Sequence, residues 1–195
     1  QSKVFEIYDR HAFAALGHPV DIEKLRQAAI EAAHLEGFNR SPGDVTLRRL
    51  ISFALSSSLK NAFEQIYSPP IMTEAIFAEL GDAPARDVLV RLHYDGNHHY
   101  ETSGVLLASS DPRREEEAAG WIRSTLQGTD PLSRVVGVCL TAWQALMDDK
   151  SFADVAAPVE PRVEIAGRTV EAALLDRSLT NRIHYRRLDP VALPR

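Results

Sequence analysis

The chain has 195 residues, 45% hydrophobic and 25% charged, with a formal net charge of -5. That balance belongs to a globular chain able to bury a core without disulfides or a structural metal, and it excludes disordered and fibrous classes. The acidic excess argues against a protein whose task is to neutralise phosphates, so no nucleic-acid partner is expected.

Cys139 is the only cysteine, which excludes an intramolecular disulfide and a four-cysteine zinc site and fits a reducing, cytoplasmic compartment. No apolar run reaches the roughly 20 residues that span a bilayer, so no membrane partner is expected. Only Lys3, Lys24, Lys60 and Lys150 are lysines among the 22 basic residues, the usage of a high-GC bacterium. Arginine is then the default surface cation, which weakens any functional reading of a single arginine.

From the N-terminus, Val4 to Leu16 carries apolar residues at helical spacing, although Lys3 to Tyr8 also suits the start of a strand. A helix is predicted from an Asp21 N-cap through Ile22, Leu25, Ala29 and Ala33, closed by Gly37. A second helix starts near Asp44 or Thr46 and carries Leu47, Leu50, Ile51, Leu55, Leu59, Phe63 and Ile66, with a kink expected at Ser56-Ser57-Ser58. Ser68-Pro69-Pro70 ends it, and Ile71 to Leu80 reads as a shorter helix before Gly81.

The period changes at Arg86. Residues 88–94 and 98–108 read as a hairpin turning on Asp95-Gly96. Asp111-Pro112 and three glutamates then open a helix that runs to Leu126 and Gly128. Arg134 to Trp143 is β-branched and reads as a buried strand despite the helix-start signal at Asp130-Pro131. Lys150 to Pro161 is a loop, and Arg162–Ala166, Thr169–Asp176 and Asn181–Leu188 read as strands, the first pair turning at Gly167-Arg168.

These elements predict one α+β domain over 1–195, helix-rich in 1–82 and strand-rich in 86–188. A helical N-terminal layer is expected on a mainly antiparallel sheet of about five or six strands.

The densest polar cluster is His93 to Glu101. A two-residue Asp95-Gly96 turn sets His93 opposite His98 and Arg91 opposite Tyr100. No H-E-x-x-H or spaced Cys/His set supplies a third metal ligand, so neither a metal nor another cofactor is expected. Arg91-Leu92-His93-Tyr94 is echoed by Arg182-Ile183-His184-Tyr185, each pairing an arginine and a histidine on one strand face.

Two such units brought together would hold an anion while histidine moves a proton. The leading expectation is therefore a metal-independent enzyme or binder for a small anionic molecule on the sheet face beneath the helices. His93 and His184 are its candidate catalytic residues, with Arg91, Arg182, Tyr100 and Glu101 as ligand-binding groups. The alternative is a non-enzymatic protein-interaction module, an accessory subunit or adaptor, and self-association into a homo-oligomer is compatible with both. The competing structural explanations are a solvated hairpin tip and a chance four-residue echo. Cys139, in an apolar run, reads as a small buried hydrophobe.

Overall fold

The computed structural model describes residues 2–67, 69–109, 111–155 and 158–193. Ser68 of the expected Ser68-Pro69-Pro70 stop, and Ala156 and Ala157 of the expected loop, lie outside these. The chain divides into two compact units, Gln1–Ala108 with Ala173–Arg186, and Ser109–Ala172 with Arg187–Arg195.

The first unit holds a five-stranded antiparallel sheet, β1 (Val4–Tyr8), β2 (His11–Gly17), β3 (Thr73–Glu79), β4 (Val88–Leu92) and β5 (His98–Glu101), paired in sequence order. Between β2 and β3 run α1 (Pro19–Asn39), α2 (Leu47–Arg49), a π-helical segment (Leu50–Leu55) and α3 (Ser56–Glu64), the last three without a break. The α+β class and the antiparallel sheet hold, but the sheet is not confined to the second half of the chain.

Three expected elements change type. Val4 to Leu16 is a hairpin: its alanines favour a helix locally, yet His11, Phe13 and Ala15 are buried while Ala12 and Ala14 are half-buried, the alternation of a strand. Ile71 to Leu80 contains β3, where Thr73, Ala75, Phe77 and Glu79 point into the core although alanine and glutamate are helix formers. In the second unit Arg134 to Trp143 belongs to a helix. Tertiary burial overrides propensity in all three.

The core lies between one sheet face and the helical layer. Phe13 and Phe77 meet at 5.0 Å between ring centroids, beneath Ile22, Leu25, Ile51, Leu55 and Leu59. Burial of each such side chain contributes roughly 1.5–3 kcal/mol. Ala29 and Ala33 are fully buried, and their small size lets α1 lie close to the sheet.

The expected C-cap Gly37 instead sits inside α1, where a Cβ would fall 2.4 Å from the Tyr8 hydroxyl. The anticipated serine kink is replaced by the π-helical segment one turn earlier. On the other sheet face Val4, Ala12, Ala14, Ile76 and Ala78 line an apolar cavity of about 240 Å³ together with residues 173–175.

The second unit contains α4 (Glu115–Thr125) and α5 (Leu132–Met147), then the short pair β6 (Glu164–Ile165) and β7 (Arg168–Thr169). In α5 Val138, Ala142 and Ala145 are buried at helical spacing. Thr141 Oγ1 donates to the Gly137 carbonyl at 2.8 Å and accepts from the Val159 amide at 2.9 Å. Cys139 is exposed on α5 instead of buried, because the helix turns it away from that face. The β6–β7 turn lies at Ala166-Gly167, both at positive φ. β8 (Ala172–Leu175) and β9 (Tyr185–Leu188) form a further two-stranded sheet, so the C-terminal strands exist but do not extend the main one.

The β4–β5 turn shows how one residue redirects a face. Gly96 N donates to the His93 carbonyl at 3.0 Å and His93 N to the Asn97 carbonyl at 2.9 Å, giving a three-residue loop closed by Gly96 at φ 85°. Arg91 therefore pairs with His99, Val90 with Tyr100 and Leu92 with His98, one residue away from the expected register. A Cβ on Gly96 would sit 2.4 Å from the Ser56 carbonyl. Gly96→Ala is expected to destabilise the protein by about 2 kcal/mol through φ strain and this clash. Urea unfolding of the variant checks it; an unchanged midpoint would remove the turn's role in seating α3.

Candidate functional site

The structure does not bring the two R-x-H-Y segments together. His93 follows Leu92, which pairs with Ala75 near the start of β3. His184 N donates at 2.8 Å to the carbonyl of Asp9, in the β1–β2 turn, where His11 pairs with Glu79 at the end of β3. The two histidines thus lie at opposite ends of the sheet, and no shared anion site forms between them.

Each segment is occupied by partners within the chain. Arg91 Nε donates to Glu74 Oε1, Arg91 Nη1 reaches the Leu107 carbonyl at 3.3 Å, and His93 Nδ1 lies 3.6 Å from the same Glu74 oxygen. Arg182 Nε donates to Asp9 Oδ2 at 2.7 Å and its Nη2 to the Tyr8 hydroxyl at 3.0 Å, while His184 Nδ1 lies 3.0 Å from the Asp176 carbonyl. Tyr100 carries the Arg48 guanidinium over its ring at 4.8 Å and packs on the core. Glu101 accepts from the Ser103 amide, which holds its carboxyl below the usual range. Among the described residues no group of three metal-ligating side chains converges.

The most buried carboxylate among the described residues is one that sequence reasoning missed. Alternation along β3 turns Glu79 into the core, where it is 7% exposed. Its Oε2 accepts from the Leu47 amide at 2.7 Å, so the carboxylate caps the N-terminus of α2 across 32 residues. Oε1 pairs with Arg10 Nη2 at 3.3 Å, and that nitrogen also donates to the carbonyls of Gly43 at 3.3 Å and Val45 at 3.5 Å.

His11, fully buried, places Nε2 3.7 Å from Glu79 Oε2, too long for a hydrogen bond. Burial would push the Glu79 carboxyl up, but His11, the Leu47 amide and Arg10 outweigh it and hold the group below its usual range. The signal that could have found this junction is the parity of β3, since a strand through Phe77 necessarily buries Glu79.

The candidate polar side chains are thus engaged within the chain, while several large apolar side chains stand at the surface. Among the described residues Ile66, Tyr67, Phe38 and Phe53 are the most exposed large hydrophobics, and no helix is long and apolar enough to cross a membrane. No protein-family model matches the chain.

Three bacterial relatives are each named proteasome subunit alpha. That of Jonesia denitrificans is 34% identical over 186 residues, covering 95% of this chain and 72% of its own length. That of Xylanimonas cellulosilytica is 34% identical, covering 98% of this chain and 74% of its own. The chain belongs to the proteasome subunit alpha family. The subunit of Renibacterium salmoninarum is also 34% identical over 90% of this chain, which spans 65% of that relative's length, just under two thirds.

Membership in the proteasome subunit alpha family overturns the expected enzyme or binder for a small anionic molecule. The physical reason lies in the register and the pairing already described, which commit the R-x-H-Y groups to intrachain bonds. What the family member keeps buried is a helix cap. Replacing that carboxylate by an amide in Glu79→Gln is expected to destabilise the chain by about 2 kcal/mol at pH 7.

Because the folded Glu79 holds its proton less tightly than an unfolded glutamate near pH 4.3, its contribution is complete above that value. It fades as pH falls through the lower folded value. Chemical unfolding of both proteins should therefore show a gap that is widest at neutral pH and narrows below about pH 4. A gap that grows on acidification would contradict the assignment.

Proposed function

We propose that the chain, over 1–195, is a single α+β subunit of the alpha type that works by building a proteasome assembly rather than by carrying a reaction centre. The observation that supports this reading most is the 34% identity to proteasome subunits alpha along 95% to 98% of the chain. The structure supports it in kind. His93, His184, Arg91, Arg182, Tyr100 and Glu101 serve the fold, joining strands, turns and helices within the first unit, while large apolar side chains are left at the surface.

A subunit needs both features, because an interface is made by burying apolar surface on a rigid body. Its partners in this reading are other subunits, copies of itself included, and no cofactor enters.

Native mass spectrometry tests the proposal directly. The purified chain, alone and mixed with the proteasome subunit alpha of Jonesia denitrificans, is expected to appear in particles of several subunits. Only a free 21.6 kDa species under every mixing condition would defeat it.

A further inference from the structure

Asp95-Gly96 is the only Asp-Gly step in the chain, and the chain has no Asn-Gly step. Such a step carries chemistry of its own, because a residue without a Cβ leaves its main-chain nitrogen open to the side chain before it. In that reaction Gly96 N bonds to Asp95 Cγ, and the hydroxyl of the protonated carboxyl leaves as water with the amide proton. Water then opens the resulting succinimide at either carbonyl. Opening at the main-chain carbonyl breaks its bond to Gly96 N and gives isoaspartate, whose chain runs through Cβ and Cγ. No oxidant takes part, and the final mass is unchanged.

The loop resists this reaction on three sides. Asp95 Oδ1 accepts from the Asn97 amide at 2.9 Å and Oδ2 from Asn97 Nδ2 at 2.6 Å, so both carboxylate oxygens are held. The attacking nitrogen is held too: Gly96 N donates to the His93 carbonyl at 3.0 Å. α3 closes the third side. Gly96 is buried, and a Cβ on it would fall 2.4 Å from the Ser56 carbonyl oxygen and 3.1 Å from both the main-chain nitrogen and the Cβ of Lys60. Ser56 Oγ also donates to the Gly96 carbonyl.

We propose that Asp95 is a self-modification site gated by α3: it stays aspartate while α3 is seated on the β4–β5 turn and converts to isoaspartate when α3 lifts. Attack on Cγ needs the Asp95-Gly96 peptide plane to rotate, and that rotation shifts the Gly96 Cα. Its nearest neighbours are main-chain atoms of a packed helix, which do not yield as the end of a flexible side chain does. α3 must therefore move first, by the kind of local opening that exposes protected groups in native proteins. The change also perpetuates itself. An added main-chain carbon moves the Gly96 carbonyl off Ser56 Oγ, so a reacted chain no longer seats α3 in the same way. The gate does not depend on assembly into larger particles.

The test follows isoaspartate at residue 95 in the full chain, held at neutral pH over several weeks. Peptide mapping detects it by a changed retention at equal mass, and an isoaspartyl methyltransferase labels it. A synthetic peptide of residues 91–101 gives the rate when nothing holds the loop. Ser56→Ala removes the hydrogen bond from α3, and Ser58→Ala, exposed on the same helix, is the control. Circular dichroism establishes that each variant is folded. Hydrogen exchange of the α3 amides of wild type in low urea is a second measurement that needs no variant, and it decides alone if Ser56→Ala is not folded.

Wild type is expected to react more slowly than the peptide by about tenfold or more, and Ser56→Ala faster than wild type by about tenfold, the effect of a barrier lowered by one hydrogen bond. Ser58→Ala should match wild type. In wild type the rate should rise with urea in step with the exchange of the α3 amides. Wild type that reacts as fast as the peptide would overturn the protection. A folded Ser56→Ala that reacts at the wild-type rate, or a wild-type rate that does not follow α3 exchange, would overturn the gate.

Discussion

A carboxylate that ends the central strand of a sheet and begins a helix is the constraint around which the first unit is arranged. Glu79 is carried into the interior by the same alternation that buries Phe77 and Ala75, and it cannot turn outward without moving the whole face. Left alone there it would cost several kcal/mol in lost hydration. The Leu47 amide and Arg10 supply what water would have supplied. Their common effect is geometric. The start of α2 is tied to the end of β3, and Arg10 holds the Gly43 and Val45 carbonyls that lead into it.

With its start fixed, the run from α2 through the π-helical segment to α3 has one direction available across the sheet. It ends against the β4–β5 turn, where Ser56 Oγ donates to the Gly96 carbonyl. That close approach explains the glycine at the turn, and the turn sets the register that aims Arg91 at Glu74 instead of at Tyr100. A slip of one residue in the hairpin would place Arg91 against the buried aliphatic layer, so the hairpin register and the helix seat enforce each other.

The same logic separates what the sequence reveals from what it hides. The helix from Pro19 to Asn39 and the run from Leu47 to Glu64 are legible because their signals are local, a cap at Thr46 and apolar residues every three or four positions, although α1 is capped by His18 and the expected cap Asp21 lies in its first turn. The β1–β2 hairpin and β3 are hidden because their alanines and glutamates favour helix in isolation, and only the layer above them makes alternation pay. α5 is hidden by the opposite bias, β-branched residues whose burial face follows a helical repeat.

The candidate site divides likewise. The R-x-H-Y echo is visible to the eye, but its meaning depends on where the two segments land, and that is decided by chain topology. Glu79 and Arg10 look like ordinary charges until contacts 32 to 35 residues away are known.

Several arginines of the first unit are engaged with neighbours: Arg182 with Asp9 and Tyr8, Arg49 and Arg40 with Glu36, Arg177 with Asp87. Such short-range pairs join neighbouring elements of the first unit, each contributing little where exposed. A stiff body loses less conformational freedom when it docks, so more of the free energy of apolar burial remains for the contact itself. These pairings follow from where the backbone places each residue rather than from the composition, which is ordinary.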